Sequence, residues 1–207
     1  MKFLDMDTWE RKAHFHFFSQ FDEPFWGVTA VVDTTKAYQK AKDTGSSFFL
    51  WYLHASLVAA NRIKEFRYRI DEQHRVLIHD TVDASPTINR PDGSFGFSYI
   101  KYAEDFSVFE QYATKEIERV RSSKAFIPAT ASENVIHYSS LPWLNFTSLT
   151  HARRFSRQDS IPKISFGKLT DKEGKKTMPV AVHVHHGLID GYQVGQYYGQ
   201  FQELLNS

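Results

Sequence analysis

Pro179-Val180-Ala181-Val182-His183-Val184-His185-His186-Gly187-Leu188-Ile189-Asp190-Gly191 is the stretch on which the fold turns. Its first half alternates with the period of a β-strand. That sets Val180, Val182, Val184 and His186 on one side and Ala181, His183 and His185 on the other. Beyond Gly191, residues Val194, Tyr197, Tyr198, Phe201, Leu204 and Leu205 recur at helical spacing, so a helix follows. His186 and Asp190 therefore fall at a strand-to-helix corner, where a side chain can be held rigidly and still be reached. By spacing alone the histidines admit three readings. Neutral imidazole is the commonest transition-metal ligand, but alternation sends His185 and His186 to opposite faces, and a site needs three or four converging ligands. They could instead be hydrogen-bonded core residues. A Ser-His-Asp hydrolase is the weakest option, since no Gly-x-Ser-x-Gly elbow occurs.

Working outward, Gly27 to Asp33 is rich in Val and Thr and reads as a strand. It runs into a helix capped by Thr34 or Thr35 and stopped at Gly45. Residues 47 to 61 read as a second helix, apolar nearly all round and hence buried. Phe66, Tyr68 and Ile70 alternate with charges, and a polar turn leads to Val76-Leu77-Ile78, a hairpin pattern. Phe95 to Tyr102 is strand-like. Ser107-Val108-Phe109-Glu110 matches a capping box opening a helix through about Arg121. Strands are expected near 135 to 139, 145 to 151 and 163 to 169, with a turn at Asp171-Lys172-Glu173-Gly174. Strands and helices mix without regular alternation, which points to an α+β sandwich: a largely antiparallel mixed sheet covered by helices. No linker, repeat or low-complexity tract divides the chain, so residues 1–207 are read as a single domain.

Composition narrows the function. A hydrophobic share of 42% in 207 residues suits one well-cored domain and excludes disorder. With 25 basic and 24 acidic residues there is no field to draw nucleic acid or an anionic membrane. The one basic cluster, Arg153, Arg154 and Arg157, reads as a solvated face. The absence of Cys excludes disulfides, thiolate metal sites and a cysteine nucleophile. Met1 to Asp5 meets an acid before any apolar run develops, which argues against a secretory signal. Phe48 to Ala60 is too short to span a bilayer, so a cytoplasmic protein is expected.

His-His-x-x-x-Asp-Gly followed by an amphipathic helix resembles the chloramphenicol acetyltransferase family, and the resemblance runs nearly end to end. Trp9-Glu10-Arg11-Lys12-Ala13-His14-Phe15 is similar to that family's Trp-x-Arg-Lys-Glu-His-Phe. Glu65-Phe66-Arg67 and Asp80-Thr81-Val82-Asp83 are similar to its Glu-Leu-Arg and Asp-Ser-Val-Asp. Ser139-Ser140-Leu141-Pro142-Trp143-Leu144-Asn145-Phe146 resembles its Ser-Ala-Leu-Pro-Trp-x-Asn-Phe, and Pro162 to Lys168 its Pro-Ile-Ile-Thr-Met-Ala-Lys.

The resemblance implies a homotrimer with the active site between subunits, His186 coming from one and most of the acceptor pocket from the next. His186 would be the general base that takes a proton from an acceptor hydroxyl, such as that of chloramphenicol, as the oxygen attacks the thioester of acetyl-CoA. Ser139 matches the serine that steadies the tetrahedral oxyanion. Ser165 matches a threonine that holds a water there. Asp190 would pair with Arg11 and lock the corner. Phe18, Trp26, Phe95 and Phe126 fall where the family lines its acceptor site. Lys168 and Trp143 match residues beside the phosphates and the pantetheine arm of CoA. No metal is implied. Leu169, His137 and Ser47 depart from the family's Tyr, Asn and Lys, and the loop Asp22 to Gly27 is longer than expected; these departures touch the substrate ends and leave the base, oxyanion donor and ion pair intact.

Overall fold

The computed structural model describes residues 2–126, 132–153 and 159–207. Six strands form the path of one sheet in the order β2 (Phe25–Asp33), β10 (Lys175–His185), β8 (Lys163–Phe166), β7 (Val135–Ser140), β5 (Asp83–Asn89) and β6 (Phe95–Phe97), with β9 (Thr170–Lys172) pairing to β10. The β5–β7 and β7–β8 pairs are parallel and the others antiparallel, so the sheet is mixed, as expected. A small second sheet joins β1 (Lys2–Phe3), β4 (Val76–Ile78) and β3 (Tyr68–Ile70). The helices are α1 (Lys12–Phe18), α2 (Thr35–Thr44), α3 (Phe48–Arg62), α4 (Phe106–Ser122) and α5 (Gly191–Leu205). Among the described residues no helix is long and apolar enough to cross a membrane.

One face of the sheet meets α3 and α5. Ile136, Tyr138, Ile164, Phe166, Val180, Val182 and Val184 bury against Leu53, Leu57, Tyr197 and Phe201, all in one core cluster. Burying each such aliphatic side chain stabilises by roughly 1.5–3 kcal/mol. Polar atoms within this layer are paired: Ser56 Oγ donates to Tyr138 Oη at 3.2 Å and lies 2.6 Å from Tyr197 Oη. The opposite face of β10 is also buried, with Ala181 and His185 almost inaccessible, so this strand is enclosed on both sides.

Local sequence explains most ends of elements. Gly45 takes the left-handed conformation, φ 70°, that closes α2. Glu173 and Gly174, with φ 53° and 84°, make the two-residue hairpin turn between β9 and β10, the positive-φ pair such a turn requires. Thr34 is the N-cap residue of α2, as expected, without a side-chain cap bond of its own, and Asp33 just before it accepts from Thr35 N at 2.9 Å. Three expectations need correction. The cap of α4 is Asp105, which accepts from Val108 N at 3.0 Å, so Ser107 lies inside the helix and donates to that carboxylate. A short acid two residues earlier outcompetes the serine because a charged acceptor binds the exposed N–H groups more strongly. Residues 145 to 151 form no strand, and the strand expected over 95 to 102 is only Phe95–Phe97 with an isolated bridge between Ala84 and Ile100.

Candidate active site

The strand-to-helix corner is where the sequence placed it. Strand pairing ends at His185 opposite Phe25, and His186 N continues to Pro24 O at 2.8 Å. Leu188 N and Ile189 N then both donate to His185 O, turning the chain tightly into α5. Asp190 caps that helix, accepting from Tyr192 N at 3.0 Å, while Gln193 Oε1 accepts from Asp190 N at 3.1 Å. This is a full capping box, and reading Asp190 only as an ion-pair partner overlooked it.

The His186 ring is fixed from several sides. Phe18, at the end of α1, stacks on it with centroids 3.9 Å apart and planes 6° from parallel. Trp26 lies 5.2 Å away and is itself anchored by its indole N–H, which donates to Ile189 O at 3.0 Å. Arg11 pairs with Asp190, and its second terminal nitrogen donates to His186 O at 3.3 Å. Burial acts to raise the Asp190 pKa, but the hydrogen bonds from Tyr192 and Arg11 and the Arg11 charge together hold it below the usual carboxylate value. Next door, burial and then the Arg153 charge push His185 down to about 4, so it is neutral and its Nδ1 accepts from Gly187 N at 3.1 Å.

Ser139 and Ser165 form a second group. They face each other across the parallel β7–β8 pair, and Ser165 is opposite Ala181 of β10. His186 lies two strands across from Ser139 and five residues beyond Ala181, roughly 15 Å or more away by strand geometry. Within one chain the histidine and the serine cannot act on the same bond.

Past Ser139 the chain folds over the ends of β7 and β8. Leu141 N donates to Phe166 O and Lys168 N to Leu144 O, both at 2.8 Å. Trp143, 68% exposed, and the exposed Lys168 therefore share one rim. A cavity of about 880 Å³ opens beside that rim, with Ser140, Pro142, Tyr52, Phe49 and Arg121 in its walls. It does not touch His186. The acceptor-site aromatics split in two: Phe18 and Trp26 lie at His186, while Phe95 and Phe126 meet at 5.5 Å on the far edge of the sheet, joined by Phe97.

The basic cluster is corrected. Arg153 is not a solvated residue; its side chain is 9% exposed, pairs with Glu23 and lies over the Phe25 ring at 3.8 Å. Arg154 and Arg157 lie outside the described residues. Strand alternation could have flagged this region, because His137, Lys163 and His183 each sit two residues from Ser139, Ser165 and His185 and share their faces. Among the described residues no group of three or more His, Asp or Glu side chains is arranged to hold a metal ion.

A helix-covered mixed sheet of this kind is an acetyltransferase fold. The fold is similar to that of a probable dihydrolipoamide acetyltransferase from Listeria monocytogenes, TM-score 0.66 at 13% identity over 94% of this chain and 88% of that one. It is far more similar to a solved chloramphenicol acetyltransferase, TM-score 0.91 at 36% identity over 99% of both chains. The chloramphenicol acetyltransferase of Clostridium perfringens is 28% identical across all of this chain and 96% of its own. Chloramphenicol acetyltransferase 3 of Escherichia coli is 26% identical over 99% of this chain and 96% of its own. The family model described as chloramphenicol acetyltransferase matches residues 1–202. The chain belongs to the chloramphenicol acetyltransferase family, whose members are acetyl-CoA-dependent O-acetyltransferases.

Proposed function

We propose that this chain, acting as one domain over residues 1–207, transfers acetyl from acetyl-CoA directly to a hydroxyl of a small acceptor. Chloramphenicol, the acceptor in the family's name, is the first to assay. His186 is the general base. With its Nδ1 buried, Nε2 takes the hydroxyl proton as the acceptor oxygen bonds to the thioester carbon. The carbonyl oxygen becomes an oxyanion, which Ser139 Oγ meets by donating a hydrogen bond, and Ser165 supports a water in the same place. Collapse breaks the carbon–sulfur bond, and the proton on His186 passes to the departing CoA sulfur. Asp190 and Arg11 position the corner and do not touch the reacting atoms. Lys168 and Trp143 hold the CoA arm, and Phe18, Trp26, Phe95 and Phe126 border the acceptor.

The observation that carries this reading is the ring of His186, stacked on Phe18 and locked through Arg11–Asp190 at the turn into α5. The separation of His186 from Ser139 within one chain supports sites that form between subunits, which we take to be those of a homotrimer; a cytoplasmic location goes with this reading. The test is release of CoA thiol from acetyl-CoA with chloramphenicol as acceptor. His186→Ala should lower it by about 10²–10⁴-fold while the assembly sediments unchanged. Unaltered transfer by that variant would refute the role of His186, and parallel double-reciprocal lines would replace direct transfer by an acyl-enzyme.

A further inference from the structure

Ser139 and Ser140 are neighbours on β7, so their side chains leave opposite faces of the sheet. Ser139 shares its face with Ser165. Ser140, in register with Phe166, turns instead towards α3, where its Oγ lies 3.2 Å from Tyr52 Oη. In the family motif Ser-Ala-Leu-Pro-Trp an alanine holds this place, so the Ser140 hydroxyl departs from the pattern. The Tyr52 ring is fixed by three others: Phe48 and Phe49 meet it edge-on at 5.1 and 5.6 Å, and Phe166 lies 4.7 Å away. Tyr52 and Ser140 both line the cavity of about 880 Å³ that opens beside the Trp143–Lys168 rim.

The hydrogen bonds of this pair leave one donor over. Each hydroxyl carries one proton, and the bond between them uses only one of the two. Whichever oxygen accepts, its own O–H has no acceptor among the described residues and is left to the cavity. Burial pushes the Tyr52 phenol up to about 12, against the opposing bond to Ser140, so it keeps its proton at neutral pH. An apolar ligand group seated here would leave the spare donor unmet, at a cost of about 1–3 kcal/mol. A carbonyl oxygen would accept from it. The remaining walls suit a long ligand of mixed character: Phe49, Leu50 and Ile117 are apolar, and Arg121, the one cation among the lining residues, stands one turn past Glu118 and makes no ion pair among the described residues. Acetyl-CoA has that form. An ethylene link joins its thioester sulfur to an amide, and a second amide follows before the phosphates.

Resting on the acetyl-transfer reading above, we propose that Tyr52 and Ser140 form a shared hydroxyl donor that binds an amide carbonyl of the CoA arm and so sets the depth at which the thioester reaches Ser139. Calorimetric titration of the assembled protein with CoA, and with adenosine 3′,5′-bisphosphate as the nucleotide end without the arm, separates this role from a structural one. The double variant Tyr52→Phe, Ser140→Ala removes both hydroxyls at nearly constant volume. It should weaken CoA by about tenfold and leave the bisphosphate within about twofold. Each single variant keeps one hydroxyl able to donate, so each should lose less than the double. If the double variant does not fold, the wild type still tests the idea by thiol release: S-acetyl-N-acetylcysteamine, which keeps the first amide, should exceed the amide-free S-pentyl thioacetate in kcat/KM by about tenfold. Equal use of the two thioesters overturns the proposal. So does a double variant that binds CoA as the wild type does, one that loses CoA and bisphosphate alike, or a single variant as weak as the double. A wild type that binds no CoA would remove the acetyl-transfer reading itself, and this proposal with it.

Discussion

Asp190→Asn should cost about 1–2 kcal/mol of stability, whereas Asp190→Ala should cost about 2–3. Asp190 has two roles: its carboxylate pairs with Arg11 and also caps α5. Asparagine caps a helix as well as aspartate does, so the Asn variant loses only the ion pair. The two side chains are 16% and 31% exposed, which places the pair between a surface bridge, at most about 1 kcal/mol, and a buried one, about 3–5 kcal/mol when one partner is removed. Alanine loses the cap too, about 1 kcal/mol more. Urea denaturation gives both values, and an Arg11→Met, Asp190→Asn cycle gives the coupling, expected at about 1 kcal/mol or more. Because Arg11 also holds His186 O, the Asn variant should lose kcat more than it changes KM. The sign with pH follows from the depressed folded-state value. The wild type's advantage over Asp190→Asn is full above the unfolded carboxylate pKa of about 4 and fades as pH falls towards the lower folded value. Equal costs for Asn and Ala, or additive single and double variants, would refute the reasoning.

Ser139→Ala should lower kcat by about 10²–10³ with little change in KM, measured by thiol release; a KM effect alone would mean that the hydroxyl binds substrate and does not steady the oxyanion. Gly27→Ala should destabilise by about 1–3 kcal/mol in thermal melts, because its Cβ would stand 2.3 Å from the His183 ring; a neutral result would show that this ring has room to move. The fold should also weaken in mild acid. Burial first, then neighbouring cations and imidazoles, holds His137, His151 and His185 down to about 4, so below the ordinary histidine value of about 6.5 the unfolded chain binds more protons. Stability should be full above that pH and fall on acidification towards 4, read as urea midpoints between pH 7.5 and 5, and a flat profile would contradict it.

The change of period at His186, from two-residue alternation to helical spacing, was legible in the residues alone and located the corner histidine and the helix that follows, though not the capping role of Asp190. Gly45 and the Glu173-Gly174 turn were legible for the same reason: such signals are local, set by backbone sterics and by hydrogen bonds between near neighbours. Motif resemblance added Ser139, Ser165 and the Arg11–Asp190 pair, and the structure places the last of these in contact. Only tertiary structure decided the rest. That β7, β8 and β10 lie adjacent, in the registers that align Ser139 with Ser165 and His137 with Lys163 and His183, depends on pairing between segments distant along the chain. No local pattern encodes such a register, because it is chosen by which apolar faces bury together. The same packing turned Arg153 from an apparent surface charge into a half-buried ion-pair partner beside the serines.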